Sequence, residues 1–299
     1  MKINRFNKSL LNTDWFTGWL FLSPFLLLWV YWFFFPLLQS VGRSFQSVDL
    51  LKIDQATFNG ITNYINVFKN PEFLQALKNS FLIVAIAVPV QTVLALVSAM
   101  AVNVPLPGRV VFRTLFSIPY ITSPIAVTTV FMVLFRKGNV LVTLLSKLGF
   151  PDKTWYADIH LALPFIMLVY IWRNIGFYMI IYLAGLQDIP KELYEAATVD
   201  GADELAKFRH ITVPMLKNVT FFVVTLGIIS AFQIFDEVAA ISRYGALGSP
   251  AGTTSTLVTY FYQYGIRYRD IGHGSAAVII FFFIILAFTA IQKRIVKPL

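Results

Sequence analysis

The sequence predicts an all-α polytopic membrane protein with six transmembrane helices. Three observations predict this. Hydrophobic residues make up 57% of the 299 residues and charged residues 13%, about half the charged share of an ordinary soluble domain. Mean hydropathy is +0.69. Apolar runs of about 20 residues recur along the chain, each long enough to cross about 30 Å of hydrocarbon as an α-helix.

The elements follow in order. Residues 1–17 are polar, with Lys2, Arg5 and Lys8, and read as a cytoplasmic tail. Residues 18–38 form the first expected span; the run is too long for the apolar core of a cleaved signal. Aromatics favour the membrane interface, so the Trp29–Phe35 cluster is expected near the outer surface. Residues 39–79 read as an external loop. Residues 81–102 are the second span, with Pro89 inside it. Arg109 and Arg113 mark the following short connection as cytoplasmic, because short inner loops carry the excess of basic residues. Residues 115–135, with Pro119 and Pro124, are read as one third span. A second external loop, 136–158, contains a short helix within 138–148. Residues 161–184 are the fourth span, 219–240 the fifth and 275–291 the sixth, with a Gly-, Ser- and Thr-rich external loop at 241–274.

Between the fourth and fifth spans lies a polar, charge-mixed segment, residues 186–216. Pro190 is suited to a helix start, where its missing N–H costs nothing. Lys191–Val199 are mostly helix formers. Gly201 is the stop, since only glycine takes the left-handed cap without steric cost. Asp203 can cap a second helix, 204–211, and Pro214 marks the next boundary.

Within that segment the order Glu195-Ala196-Ala197, three residues, Gly201, nine residues, Ile211, one residue, Val213-Pro214 resembles the EAA signature of permease subunits of binding-protein-dependent ABC importers. The one departure is Val213, where the family usually has leucine. Further likeness to the sugar-type permeases of the maltose and glycerol-phosphate group lies at Asn63-Tyr64, Phe73–Leu77 and Asn79-Ser80. It continues at Gly248, Pro250, Thr253–Leu257, Tyr260, Tyr262, Gly272 and Ala276-Ala277. The resemblance implies the type I ABC importer permease fold, with both termini in the cytoplasm of a prokaryotic cell. It implies that Glu195, Ala196, Ala197, Asp200, Gly201, Ala202, Ile211 and Pro214 couple the chain to an ATPase. The implied partners are a second permease subunit, two ATP-binding subunits, an extracellular solute-binding protein and a sugar. ATP and Mg would be used by those partners. Glycerol phosphate or an amino acid are alternative solutes within the class; an ion-driven sugar carrier is the alternative outside it.

The chemistry in the residues points the same way. No phosphate-cradling Gly-Lys-Ser/Thr loop is present, and no catalytic set; the chain is expected not to be an enzyme and to bind no cofactor itself. There are no cysteines, and the three histidines are far apart in sequence, so no metal-ligand spacing exists. The net charge of +9 is spread over loops and ends, which suits lipid headgroups rather than nucleic acid. Arg173, in mid-span, costs at least about 2.5–3.5 kcal/mol to insert, so it must face protein or water; Asp236 and Glu237 are its possible partners. Gln233, Asp236 and Glu237 are spaced to share one helix face. Together with Asn174, Tyr178 and Ser230 they are the candidate solute path, because amides, carboxylates and aromatic rings match a hydroxyl-rich solute. Tyr170, Trp172 and Tyr182 are further aromatics of the same spans.

Overall fold

The computed structural model describes residues 7–51, 53–104, 108–242 and 247–295; Lys2, Arg5 and Lys297 lie outside them. The chain is helical almost throughout. Helix α1 (Asn7–Trp29) passes through a π turn, Val30–Phe34, into α2 (Phe35–Ser44). The apolar part of this helix runs Trp15–Ser44, longer than the 18–38 expected. None of its apolar window is buried, so it stands at the periphery of the bundle.

A two-stranded hairpin pairs β1 (Gln46–Ser47) with β2 (Thr57–Phe58), and α3 (Thr62–Lys69) follows. Helix α4 (Pro71–Asn103) is 33 residues long and is capped by Asn70, whose side chain accepts the Glu72 N–H at 2.8 Å. The expected external loop, 39–79, is thus largely helical. Three buried polar residues account for its motif. Asn63 Nδ2 donates to the Ser44 and Gln46 carbonyls (2.9 and 2.8 Å), and Tyr64 shares a hydrogen bond with Ser44. Asn79 Nδ2 donates to the Ser255 carbonyl at 2.9 Å, and Ser80 Oγ accepts from the Leu257 N–H at 3.0 Å. These residues tie the outer segments together.

The expected third span is not one helix. Helices α5 (Arg109–Ile121) and α6 (Pro124–Leu134) meet at 99°. Pro124 pushes Ser123 out of the helical region into extended backbone, and Thr122 is extended as well. Among the described residues five helices are long and apolar enough to cross a membrane, and the bent pair makes a sixth if taken as one broken span.

Next come α7 (Val140–Lys147) and α8 (Ala162–Gln187), then the hairpin helices α9 (Lys191–Val199), α10 (Glu204–Lys207) and α11 (Val213–Met215). Helix α12 (Lys217–Phe232) is separated from α13 (Asp236–Ile241) by three residues. Helix α14 (Leu257–Tyr262), inside the expected third external loop, precedes α15 (Ile271–Ile295).

The bundle is centred on α4 against α8, with α12 beside them. The half away from the 186–216 segment buries Phe73, Phe165, Tyr170, Phe232 and Tyr260. The half next to that segment, the inner core of the expected orientation, buries Ala95, Ala99, Tyr178, Tyr182 and Leu216. In a bilayer the lipid is as apolar as the core, so close packing must hold helices together. Gly176 is where this is tightest: a Cβ there would run into the Phe116 carbonyl of α5.

Candidate functional site

Two regions gather the polar residues. The first is a cavity of about 180 Å³ among α6, α8 and the α12–α13 break. Helix α12 ends at Phe232, Phe235 leaves the helical region (φ −135°, ψ −50°), and α13 restarts at Asp236. The carbonyl freed at Ile234 accepts the Thr256 hydroxyl at 2.8 Å. Thr256 also opens α14 through a capping box with Thr259, which gives the Thr253–Leu257 motif its physical reason. The expected helical face of Gln233, Asp236 and Glu237 is therefore corrected: they line one cavity because the helix breaks between them.

Arg173, Asn174, Ser230, Gln233, Asp236 and Glu237 all line this cavity. Tyr178 does not; it is buried in the inner core beside α4 and α12. Tyr170 lines the cavity as well and is buried. Trp172 is 45% exposed on the other side of α8, and Tyr182 bonds Thr220 at 3.2 Å within the inner core. Asn174 Nδ2 donates to the Tyr170 carbonyl at 2.8 Å.

Of the two acids, Glu237 is the one that Arg173 meets. The Arg173 Nε lies 3.5 Å from Glu237 Oε1, with side-chain exposures of 16% and 4%. The contact is ionic without hydrogen-bond alignment, and both atoms are buried with no hydrogen-bond partner among the described residues. A buried, unsatisfied donor and acceptor are costly, and here both border a cavity. A hydroxyl, which donates and accepts, suits that pair. The guanidinium also stands 5.8 Å over the Tyr120 ring, and Tyr120 stacks on Phe177 at 4.4 Å. Tyr120 and Pro124 escape the sequence reading, because only the break in the third span turns them inward; the closely spaced Pro119 and Pro124 were the available signal.

The second region is the hairpin between α8 and α12. Gly201 has φ +78°. The Gly201 N–H donates to the Thr198 carbonyl and the Ala202 N–H to the Ala197 carbonyl, the paired bonds of a Schellman cap. Asp203 accepts the Ala206 N–H at 2.7 Å as the next N-cap. Pro190 occupies the N-cap of α9 rather than its first turn. The second helix does not stop at Ile211 or Pro214. It continues through a π turn, Phe208–Thr212, and α11 to Met215.

The hairpin's two helices are joined by Tyr194 and Thr212, whose hydroxyls lie 2.8 Å apart. Glu195, Ala196, Asp200, Gly201 and Pro214 are exposed, while Ala197, Ala202 and Ile211 are half-buried. Ile211 packs with Tyr194 against the inner core, so it holds the hairpin to its own bundle. Val199 and Leu205 are 88% and 71% exposed, an unusual apolar display on a polar hairpin.

Among the described residues no cluster of His, Asp or Glu could hold a metal.

Residues 91–298 match the family described as "Binding-protein-dependent transport system inner membrane component". The chain is 34% identical over 285 residues to the arabinooligosaccharides transport system permease protein AraP of Bacillus subtilis (strain 168), covering 93% of this chain and 87% of that protein. It is 32% identical over 254 residues to the lactose transport system permease protein LacF of Rhizobium radiobacter, covering 84% of each. A solved structure of a bacterial ABC transporter that imports the acidic polysaccharide alginate aligns with TM-score 0.79 and 19% identity, over 96% of both chains; it shares the fold. The chain therefore belongs to the binding-protein-dependent transport system inner membrane components, and is a multi-pass permease subunit of an ABC importer.

Proposed function

We propose that this permease carries a neutral sugar or oligosaccharide across the cytoplasmic membrane of a prokaryote, driven by ATP hydrolysis on separate subunits. The hairpin carries this reading. It stands outside the spans, is capped at both helix ends, and exposes Val199 and Leu205. A partner that buries them gains about 25 cal/mol per Å² of apolar surface, and Glu195 supplies a charged group beside them for an ion pair or hydrogen bond. The partner is one of two ATP-binding subunits, which use ATP and Mg; this chain binds no cofactor. Docking of the hairpin fixes the 186–216 segment, and both termini, in the cytoplasm. When the ATPase pair closes, α9 moves with it, and α8 and α12 tilt between inward-open and outward-open forms.

The solute reading rests on the intramembrane cavity. It offers aromatic faces, amides and carboxylates, with one cation against two anions: Arg173, Asp236 and Glu237. That balance disfavours an anionic solute such as glycerol phosphate. At about 180 Å³ it falls below the roughly 300–1,000 Å³ of enclosed ligand pockets, so it is one wall of a passage whose other wall comes from a second permease subunit. An extracellular solute-binding protein delivers the sugar. The experiment is a screen of that binding protein against neutral mono- and oligosaccharides, phosphorylated polyols and amino acids. Retention of a neutral sugar supports the reading; retention only of a phosphate ester or an amino acid overturns it.

A further inference from the structure

A second cavity, about 450 Å³, lies away from both regions and within the roughly 300–1,000 Å³ of small-molecule sites. It is formed by the start of α4, the 247–255 loop and α14. Helix α4 has 33 residues, about 50 Å at 1.5 Å per residue, against about 30 Å of hydrocarbon. Its last turns, at Met100 and Asn103, border the hairpin. Its first turns therefore stand clear of the apolar layer on the opposite, outer side.

The lining is suited to carbohydrate. Tyr260 and Tyr268 present rings, Glu72 a carboxylate, Gln75 and Gln263 amides, and Ser255 and Thr259 hydroxyls. Among the described residues no lysine, arginine or histidine lines it. The wall is already ordered. Gln263 Nε2 donates to the Tyr268 hydroxyl at 2.8 Å, and Tyr268 packs edge-on against Tyr264 at 5.1 Å. Tyr264 accepts from Asn70 at 2.6 Å and donates to Glu72 at 3.3 Å. The Tyr260 hydroxyl is engaged by buried His273 at 2.6 Å, so Tyr260 offers the cavity its ring. Burial pushes the Tyr260 and Tyr264 phenols above their ordinary range, so both remain neutral groups. Flat rings beside amide and carboxylate groups recognise the apolar face and the hydroxyl edge of a sugar at once.

We infer that this cavity is an outer subsite for a neutral saccharide unit, which Tyr268 stacks against and which Glu72, Gln75 and Gln263 hydrogen-bond. It holds the sugar between its release from the binding protein and its entry to the Arg173–Glu237 cavity. The inference rests on the sugar reading given under Proposed function. Glu72, the one charged group among its described lining residues, makes it selective against acidic sugars.

The chain has no cysteine, so Pro71→Cys, at an exposed lining residue that makes no proposed hydrogen bond to the sugar, places a unique thiol of this chain on the rim. The assembled transporter carrying it is put in lipid nanodiscs without binding protein, and maleimide labelling of this chain is timed by mass spectrometry. The probes are neutral mono- and oligosaccharides of arabinose, galactose, glucose and xylose. A neutral sugar retained by the binding protein is expected to slow labelling about tenfold at ten times its Kd, by mass action. Adding Tyr268→Ala should abolish that slowing while the sugar-free rate stays the same, which shows the cavity wall intact. The inference is overturned if no neutral sugar slows labelling, if the slowing survives Tyr268→Ala, or if only added binding protein slows it, which would make the cavity a protein contact. If the binding protein retains no sugar of the panel, the sugar reading fails, and the subsite with it.

Discussion

Arg173 and Glu237 carry the polar chemistry of the membrane interior as a pair, and the pair defines what each substitution does. Removing one partner from a buried ion pair leaves an uncompensated charge and costs about 3–5 kcal/mol, whereas neutralising both is far milder. Arg173→Gln should therefore lower the thermal unfolding temperature of the purified transporter, and Arg173→Gln with Glu237→Gln should recover most of that loss. A double variant no more stable than the single one would mean that the two groups do not interact. The sequence identified Arg173 as needing a partner and offered both acids. It did not decide between them, because that choice depends on the three-residue break before Asp236. Outside the membrane, Lys153 Nζ donates to Asp158 at 2.7 Å and holds that carboxyl below its usual range. With a depressed value, the stabilisation is present above the unfolded pKa and is lost as pH falls through the folded one. In Lys153→Met the Asp158 titration should move up in carboxyl NMR; an unmoved titration would remove Lys153 as the cause.

Helices and turns show the same division between what pattern reveals and what packing decides. The turn of the hairpin was legible to the residue, since Gly201 and Asp203 act through local backbone rules, whereas the second helix runs on through a π turn past its expected end. Gly201→Val puts a β-branched residue at φ +78°, where left-handed backbone costs about 1–2 kcal/mol. No atom lies within 4 Å of the added Cβ, so the penalty falls on the turn itself. The expected result is a folded permease with weakened ATPase association and lost uptake, read by co-purification and transport; unchanged uptake would detach the turn from coupling. The broken third span was not legible, because two prolines within an apolar run fit both a kinked span and a re-entrant bend. Its close approach to α8 gives a second prediction. Gly176→Ala drives a methyl into the Phe116 carbonyl, a backbone atom that cannot rotate away. The variant should fail to yield monodisperse protein on size-exclusion chromatography, while Gly18→Ala, which meets open space, should behave as wild type. The long first helix was underestimated for a simpler reason: its last turn, with Arg43 and Ser44, is too polar to extend an apolar run.

At the scale of the whole molecule, composition alone named the class, and the spaced signature named the family, but neither located the solute. The outer motif residues, Asn79, Ser80 and Thr256, turn out to be joints between segments, whose meaning exists only once the chain is folded. The intramembrane wall and the hairpin are linked by α8 and α12, each of which reaches from one to the other. In the coupling proposed above, that continuity is the route by which an inner-face movement would reach Arg173 and the α12–α13 break. As proposed above, this chain is a conduit whose energy comes from its partners through the hairpin. The most direct test is sugar accumulation in proteoliposomes that contain the permease pair with or without the ATP-binding subunits, with binding protein outside and ATP trapped inside. Accumulation only when both ATP and the ATP-binding subunits are present is the predicted result. Accumulation by the permeases alone, or driven by an ion gradient without ATP, would contradict it.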